Sequence, residues 1–259
     1  MPEKSKYIVG TSGYSFADWV GTFYPLGTAK TDMLGQYVKH FETVELNFSY
    51  YRIPTQSTLA RMAAQTPEGF AFWVKANQKT THQQDRSIAG AFLDSLAPLT
   101  QEGKLAGVLL QFPQSFHRTM ANRKYLASTI EDFCTVPLAV EFRHRSWDDQ
   151  AVVEGLRQHG ISLVVPDVPD LEGLYRPAAP IVTGPSGYLR LHSRVAENWY
   201  AGGAERYDYD YSEDELKKVL ADWSSVETEV ERVYAFFNNC HRGQAAQNAE
   251  AFRRLLDQI

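Results

Sequence analysis

Short apolar runs rich in β-branched and aromatic residues recur along the whole chain. Their length and composition favour strands over helices. Segments with helical character, recognised by apolar residues at helical spacing, separate most of these runs. The predicted strands span residues 7–10, 43–47, 70–76, 106–112, 138–142, 162–166, 188–192 and 233–238. The predicted helices span residues 31–41, 57–65, 88–99, 122–133, 152–159, 214–223 and 245–256.

Two local signals mark helix starts. Ser146, followed by two aspartates, is the predicted N-cap of the fifth helix, and Ser212 with Glu215 forms a capping box before the sixth. Strands that alternate with helices indicate parallel βαβ units with right-handed crossovers. Eight such units in a chain of 259 residues predict an α/β fold, a single (β/α)₈ barrel domain over residues 1–259. The alternative is an open, doubly wound sheet.

Within most of the runs, hydrophobic and polar residues alternate, which in a strand sends them to opposite faces. In the fifth run Val140 and Phe142 share one face, and Glu141 and Arg143 share the other. The face of a barrel strand that packs on helices must be apolar, so the polar residues are predicted to point into the barrel. They lie near the C-terminal ends of the strands, where barrel enzymes hold their active sites. The inward polar set is Glu45, Asn47, Lys75, Asn77, Gln111, Glu141, Arg143, Arg190, His192 and Asn238.

The charge balance of this inward set differs from that of the chain. The chain has 26 basic and 31 acidic residues and a net charge of −5, which excludes a generally basic nucleic-acid footprint. The inward set, by contrast, contains Lys75, Arg143 and Arg190 against two glutamates, with Asp167 predicted to balance the excess. A cation-rich cavity favours a carboxylate or phosphate ligand held by arginine. The alternative is an internal ion-pair network that serves only the fold.

Cysteine content and the N-terminal residues bear on location. Cys134 and Cys240 lie far apart and have no metal-ligand spacing, which favours a reducing compartment. Residues 1–6 lack the apolar core of a signal peptide, and no run approaches the ~20 apolar residues of a membrane span. The prediction is a cytoplasmic protein with no membrane partner. The long segment 195–211, rich in aromatic residues, is a predicted lid over the barrel mouth.

A series of short motifs extends from residue 7 to residue 257. They are Gly10-Thr-Ser-Gly13 with Trp19 and Phe23-Tyr-Pro25; Phe41-Glu-Thr-Val-Glu-Leu-Asn47 leading to Tyr51-Arg-Ile-Pro54; Phe72-Trp-Val-Lys75 with Thr81-His82; Leu110-Gln-Phe-Pro113; Val140-Glu-Phe-Arg-His144 with Ser146-Trp147; Tyr188-Leu-Arg-Leu-His192; and Phe236-Phe-Asn-Asn239 with Gly243, Ala245 and Asn248-Ala249. In this order they resemble the motifs of the DUF72 family, also called YecE-like proteins.

This resemblance implies a TIM-barrel fold. Through a distant likeness to endonuclease IV and xylose-isomerase-like barrels, it also implies metal-assisted phosphodiester or sugar chemistry by analogy. Two departures are visible. The family often has Asn-Ser-Thr-Phe-Tyr where this chain reads Asn47-Phe-Ser-Tyr-Tyr51, which keeps Asn47 and Tyr51. The usual Leu-His-Gly is here Leu191-His192-Ser193, which is expected to alter the loop that leads to Trp199.

The first functional hypothesis is an enzyme, a hydrolase or lyase, that acts on a phosphate-bearing, sugar or nucleotide substrate. Basic side chains would orient the anion and a carboxylate or imidazole would transfer protons. The predicted catalytic residues are Glu45, Glu141 and His192. The predicted substrate-binding residues are Asn47, Tyr51, Arg52, Lys75, His82, Gln111, Arg143, His144, Trp147, Asp167, Arg190, Asn238 and Asn239.

A divalent metal is a further candidate, because Glu45, Glu141, Asp167 and His192 offer hard ligands from separate strands. No local ligand motif such as HExxH supports it, so the cofactor requirement is left open.

Two alternative functions remain open from the residues alone. A nucleic-acid or nucleotide binding module would stack bases on aromatic residues beside arginines. Its candidate aromatic residues are Tyr50, Tyr51, Trp147, Trp199, Tyr200, Tyr207 and Tyr209. Glycoside hydrolysis by Glu45 and Glu141 is less favoured, because cationic neighbours would lower the pKa of both carboxyls and so would not suit a proton donor.

Overall fold

All eight predicted strands are present in the structure, a computed structural model that describes residues 6–197, 199–200 and 205–258. Neighbouring strands pair in parallel, in the order β1-β8-β7-β6-β5-β4-β3-β2, which is the order of a (β/α)₈ barrel. The strands are β1 (Tyr7–Thr11), β2 (Thr43–Leu46), β3 (Ala71–Lys75), β4 (Leu105–Gln111), β5 (Leu138–Glu141), β6 (Ser162–Asp167), β7 (Ser186–Leu191) and β8 (Arg232–Phe237).

The helices follow the strands as the hydrophobic pattern predicts, with short additions. In the described part of the chain they are α1 (Met33–Tyr37), α2 (Gln56–Ala64), α3 (Gln78–Thr81), α4 (Ala89–Ser95), α5 (Ala97–Gln101), α6 (Met120–Asp132), α7 (Gln150–Gln158), α8 (Glu213–Trp223) and α9 (Gln244–Leu256). The single helix predicted over residues 88–99 is two helices, because Pro98 lies in the first turn of α5 and lacks the N–H that would continue α4.

Helix capping confirms one prediction and corrects another. Ser212 and Glu215 form the predicted capping box of α8. The N-cap of α7 is Asp149, whose carboxylate accepts from Ala151 N, and the prediction of Ser146 was wrong. The Ser146 hydroxyl instead accepts from Arg118 N, at 2.8 Å, so it is engaged in a loop contact before the helix begins.

The barrel closes between β1 and β2 through side chains as well as backbone. The two strands meet at the bridge between Ser12 and Glu45. Tyr37 of α1 spans the junction: its hydroxyl accepts from Thr11 N at 2.9 Å and donates to Thr43 O at 3.0 Å. Gly10 permits this approach, because a Cβ there would lie 2.3 Å from Thr43 O.

Two hydrophobic clusters divide the strand residues as the alternation predicts. The outer cluster packs strand residues such as Val140 and Phe142 against the helices. The inner cluster fills the barrel, with Trp73, Tyr188 and Tyr234 packed edge to face. This apolar plug lies below the polar residues at the strand ends, so the mouth of the barrel stands on a rigid base.

The remaining features concern the membrane and the long loop. Within the described residues, no helix is long and apolar enough to cross a bilayer.

The segment 195–211, the predicted lid, lies partly outside the described residues, since 198 and 201–204 are not among them. Its described part includes Trp199, which is buried, and a short helical turn over Glu205–Tyr207.

Candidate functional site

A buried ion-pair cluster lies directly above the aromatic plug. Arg190 is only 1% exposed and donates to Glu141 and, at 2.7 Å, to Glu45. Tyr188 donates to the other oxygen of Glu45 at 2.8 Å. Burial alone would lower the pKa of Arg190, but its attraction to Glu141 and Glu45 outweighs burial and raises it. Arg190 is therefore a permanently charged residue that is balanced by two carboxylates.

Arg143 approaches the same cluster from β5 but is less fully paired. Its Nη2 lies 2.7 Å from Glu141 Oε1 and 3.3 Å from His192 Nε2. Its Nη1 is buried and has no hydrogen-bond partner among the described residues. Burial lowers the pKa of Arg143 to about 10 despite the attraction of Glu141. The guanidinium thus remains charged at neutral pH and keeps a donor for a ligand.

Glu141 and His192 belong to the same buried cluster and lie beneath its two arginines. Burial alone would raise the pKa of Glu141, but Arg143 and Arg190 hold it well below its ordinary value. Asn238 Nδ2 lies 2.8 Å from His192 Nδ1 and fixes the ring. Burial, followed by repulsion from Arg143, lowers the pKa of His192 well below its ordinary value, so the imidazole is neutral near pH 7.

Lys75, at the end of β3, lies beside the cluster without an ion-pair partner in the described part of the chain. Its Nζ donates to Gln111 Oε1 at 2.7 Å and lies 4.6 Å from the centre of the Tyr50 ring. Burial lowers the pKa of Lys75 to about 7, and Arg190 and Arg143 act in the same direction. This amine therefore changes its charge near physiological pH.

A cavity of about 680 Å³ opens above these groups at the C-terminal ends of the strands. Its described lining contains lysine and arginine side chains and aromatic rings but no aspartate or glutamate. The basic residues are Lys75, Arg143, Arg190 and Arg206. The aromatic residues are Tyr14, Phe16, Phe48, Tyr50, Tyr51, Trp199, Tyr200 and Tyr207. The basic side chains of this wall attract anions, and its aromatic rings offer flat apolar surfaces to the uncharged part of a ligand.

The cavity brings together eight of the residues predicted from the sequence to bind substrate. His82 contacts the edge of the Tyr50 ring, and burial and Lys75 lower its pKa to about 4. Asn47 donates to Glu45 Oε1 at 3.1 Å, which links the cavity floor to the buried cluster. The eight residues are Asn47, Tyr51, Lys75, His82, Gln111, Arg143, Arg190 and Asn238.

The three residues predicted to be catalytic do not line the cavity. Glu45 and Glu141 have no exposed surface, and His192 is 2% exposed. They contact residues of the cavity wall, namely the arginines, Asn47 and Asn238, so their geometry suits the positioning of those residues. Direct proton transfer by any of the three stays a prediction.

Asp167 does not belong to the inward set, which corrects the prediction. Val164 of the same strand lies in the inner cluster, so the alternation turns Asp167 to the helix side. There it pairs with Arg194 at 2.6 Å, and Arg194 also contacts Glu215 of α8. Asp167 therefore fastens β6 to the loop after β7.

Four other predicted binding residues also lie away from the cavity. Trp147 is buried between Phe142 and Phe116 on the helix side, and Asn239 donates to Tyr209 O and Asn248. His144 caps a short helical turn and stacks on His117 at 3.8 Å, and Arg52 is exposed outside the cavity. Arg52, His144 and Trp147 lie three or more residues beyond a strand, where the alternation no longer sets the direction of a side chain. Asn239 lies on the face opposite to its neighbour Asn238, as the alternation requires.

One basic residue of the cavity was not predicted. Arg206 lies in the long loop, with its guanidinium carbon 4.3 Å from the centre of the Trp199 ring. Arg143 lies 5.5 Å from the same centre. The signal for Arg206 was its place beside Tyr207 in a loop already expected to cover the mouth. Only the fold shows that it reaches the cavity.

In this arrangement the four residues predicted as metal ligands do not form a ligand set. Asp167 is turned away, and both glutamates are engaged by arginines. Among the described residues, no group of three or more His, Cys, Asp or Glu side chains is placed to hold a metal ion.

Comparisons with known proteins agree on one family. Residues 8–259 match the family described as "Protein of unknown function DUF72". The UPF0759 protein YunF of Bacillus subtilis is 31% identical over 96% of this chain and 94% of its own length. The crystal structure of a DUF72 family protein, TM1631 from Thermotoga maritima, has a TM-score of 0.90 and 41% identity, covering 98% of this chain and all of that one. A DUF72 family protein, EF0366 from Enterococcus faecalis, has a TM-score of 0.86 and 28% identity, covering 97% of this chain and 95% of that one.

Proposed function

This chain belongs to the DUF72 family, and we propose that it is an enzyme that acts on an anionic small molecule, phosphate-bearing or of the sugar or nucleotide type, in the mouth of the barrel. The observation that carries the proposal is the lining of the cavity: four basic side chains and no carboxylate among its described residues, in a chain whose net charge is −5. A basic cavity in an otherwise acidic chain attracts anionic ligands to that one place.

The partners of the two buried arginines, Arg190 and Arg143, support an anion-binding role for Arg143. Arg190 already has the two carboxylates of Glu45 and Glu141. Arg143 pairs with Glu141 as well, and the Nη1 of Arg143 has no partner in the described part of the chain. A phosphate or carboxylate that approaches Arg143 would satisfy this donor, and charge-assisted contacts of this kind are among the stronger hydrogen bonds.

The lower pKa of Lys75 supports the same proposal. An ammonium in this place is disfavoured by burial and by two guanidiniums. An anion in the cavity would supply the missing negative charge and restore the proton on Lys75. Lys75 and Arg143 therefore act together as the anion-binding residues, and Glu141 and His192 hold Arg143 in place.

The experiment that tests this proposal is calorimetric titration of the protein with inorganic phosphate and with sulfate, followed by a thermal-shift panel of phosphorylated and carboxylated metabolites. We expect saturable binding that Arg143→Met weakens at least about tenfold. The matched control is Lys79→Met, since Lys79 is exposed four residues beyond Lys75 and does not line the cavity. Equal binding by wild type and Arg143→Met would overturn the proposal.

A second candidate function, a non-catalytic nucleotide or nucleic-acid binding module, is favoured by one observation. Tyr51 and Tyr200 at the rim of the cavity are 74% and 63% exposed, so both rings are accessible for a base to stack on. Tyr51→Ala should weaken binding of adenosine monophosphate, by about 1–3 kcal/mol, and leave phosphate binding unchanged. Binding of a single-stranded oligonucleotide with a steep salt dependence would separate the nucleic-acid function from a small-molecule site.

A further inference from the structure

Lys75 has the surroundings of a reactive amine. Its Nζ reaches the cavity, and its short polar contact is with an amide oxygen, Gln111 Oε1, at 2.7 Å. An amide oxygen accepts from an ammonium or from a neutral amine and favours the ammonium far less than does a carboxylate, which would keep the lysine charged. The pairing with Gln111 thus leaves the lone pair of Nζ available once the proton is lost.

The orientation of the Gln111 amide is fixed by the backbone. Its Nε2 donates to Phe112 O at 2.8 Å, which directs Oε1 to Lys75. The chain therefore holds the amine in one position by a single N–H contact, and the Tyr50 ring, 4.6 Å from Nζ, supports it from the side.

The charges that face Lys75 come from several elements. Arg190 of β7 and Arg143 after β5 disfavour the ammonium, whereas Glu141 of β5 and Glu45 of β2 favour it. Burial is the largest influence, and the combined result is a pKa of about 7. His82, whose pKa is about 4, is neutral and adds no charge at pH 7. A desolvated lysine beside cationic groups is the usual form of an amine that attacks carbonyl carbon.

We propose that Lys75 is a nucleophile that forms a Schiff base with an anionic aldehyde or ketone bound in the cavity. The lone pair of Nζ forms a bond to the carbonyl carbon as the carbonyl π pair moves to oxygen, which takes up a proton. The carbinolamine nitrogen then loses a proton, its hydroxyl takes up a proton, and the C–O bond breaks to release water as the nitrogen lone pair forms the C=N bond. The protonated Schiff base so formed loses its remaining N–H proton to give the neutral imine. One imine and one water are the products, and no oxidant or reductant is needed.

This inference rests on the proposed anion site, because Arg143 would hold the anionic group of the substrate. The test uses pyridoxal 5′-phosphate, which carries both an aldehyde and a phosphate, as a probe. The full chain is incubated with the probe at several pH values, reduced with borohydride and digested, and the labelled lysines are located by mass spectrometry. At pH 7.5 we expect Lys75 to be labelled at least about tenfold faster than the exposed Lys79, because its pKa is about 7 and that of an ordinary lysine is ~10.4.

Two variants separate the amine from the anion site. Lys75→Arg keeps a positive charge but is not a nucleophile, so it should bind sulfate and lose the label. Gln111→Glu places a carboxylate beside Nζ, so the pKa of Lys75 should rise and labelling at pH 7.5 should fall at least about tenfold, with recovery at higher pH. The comparison of Lys75 with Lys79 in the wild-type chain needs no variant and stands even if a substitution disturbs folding.

The outcomes distinguish the two proposals. Slow labelling of Lys75 in a protein that binds sulfate would overturn the Schiff-base inference and leave the anion site intact. Fast labelling of Lys75 with pyridoxal as well as with its phosphate, in a protein that binds no sulfate, would support the amine and overturn the anion site. Fast labelling that depends on the phosphate would support both.

Discussion

Arg143 and Arg190 contact opposite oxygens of the Glu141 carboxylate, and among the described residues only Arg190 of the two has a second carboxylate as partner. Arg190 pairs through both of its terminal nitrogens with Glu141 and Glu45, and although its Nε has no partner among the described residues, these two ion pairs make it part of the fold. Arg143 keeps a buried Nη1 without a partner in the described part of the chain and lines the cavity. Two guanidiniums on one carboxylate therefore have different roles, and substitutions should separate them.

Substitution of Arg190 should damage the fold. Arg190→Met leaves the fully buried carboxylates of Glu45 and Glu141 without their shared cation, which should cost about 3–5 kcal/mol of unfolding free energy. Urea denaturation followed by circular dichroism measures this loss. Arg206→Met, which removes a partly exposed cation from the cavity wall, is the matched control and should cost less than about 1 kcal/mol. A loss below about 1 kcal/mol for Arg190→Met would contradict the structural role of Arg190.

Substitution of Arg143 should damage binding more than folding. In Arg143→Met, Glu141 still has Arg190, so its charge stays compensated and the loss of stability should be smaller than for Arg190→Met. Sulfate affinity, measured by calorimetry, should fall at least about tenfold. If the variant instead loses its fold while the wild type binds no anion at all, the cluster is an ion-pair plug, the alternative that composition and alternation left open.

The sequence was sufficient to predict the barrel and the inward polar set, because both depend on local alternation. Val140, Glu141, Phe142 and Arg143 occupy four successive positions, and their directions follow from strand geometry once the strand is recognised. Nothing in that pattern depends on distant contacts. The same reasoning predicted that Lys75 and Gln111, on adjacent strands, would both face the barrel mouth.

The depth of each side chain, and the direction of residues three or more positions beyond a strand end, could not be predicted in this way. Glu141 and His192 were predicted to be catalytic, yet arginines that reach over from other strands cover both, and only the assembled barrel determines this burial. Asp167 ends β6 one position out of phase with Val164 and so pairs with Arg194. Arg206 enters the cavity from a loop that has no periodicity at all.

Anion affinity should depend on pH through Lys75. The pKa of Lys75 is about 7 in the free protein, and a bound anion raises it, so binding takes up a proton in the window above pH 7. Sulfate affinity should therefore fall as the pH rises from 7 toward 9. Sulfate is the suitable probe because its own charge is constant over this range. Calorimetry in two buffers of different ionisation enthalpy would measure the proton uptake directly.

The control for this dependence is Lys75→Met. The other charged groups around Lys75 keep their charge between pH 7 and 9: the pKa of Arg143 is about 10, that of Arg190 is raised and that of His82 is about 4. The variant should therefore bind sulfate more weakly, with an affinity that no longer changes over this range. If the variant retains the wild-type pH dependence, a group other than Lys75 is responsible for that dependence.

His192 should make the fold sensitive to mild acid. Burial and Arg143 hold the pKa of His192 well below its ordinary value, whereas in the unfolded chain it returns to about 6.5. Below pH 6.5 the unfolded state binds a proton that the folded state does not, so the unfolding free energy falls as the pH falls. The share of one such group is at most about 1.4 kcal/mol per pH unit. His192→Gln removes the titrating group, so the difference in unfolding free energy between wild type and variant should be constant above pH 7.5 and should shift in favour of the variant between pH 6.5 and 5. Urea denaturation at a series of pH values measures it, and a difference that stays constant down to pH 5 would show that His192 titrates in the folded barrel with the same pKa as in the unfolded chain.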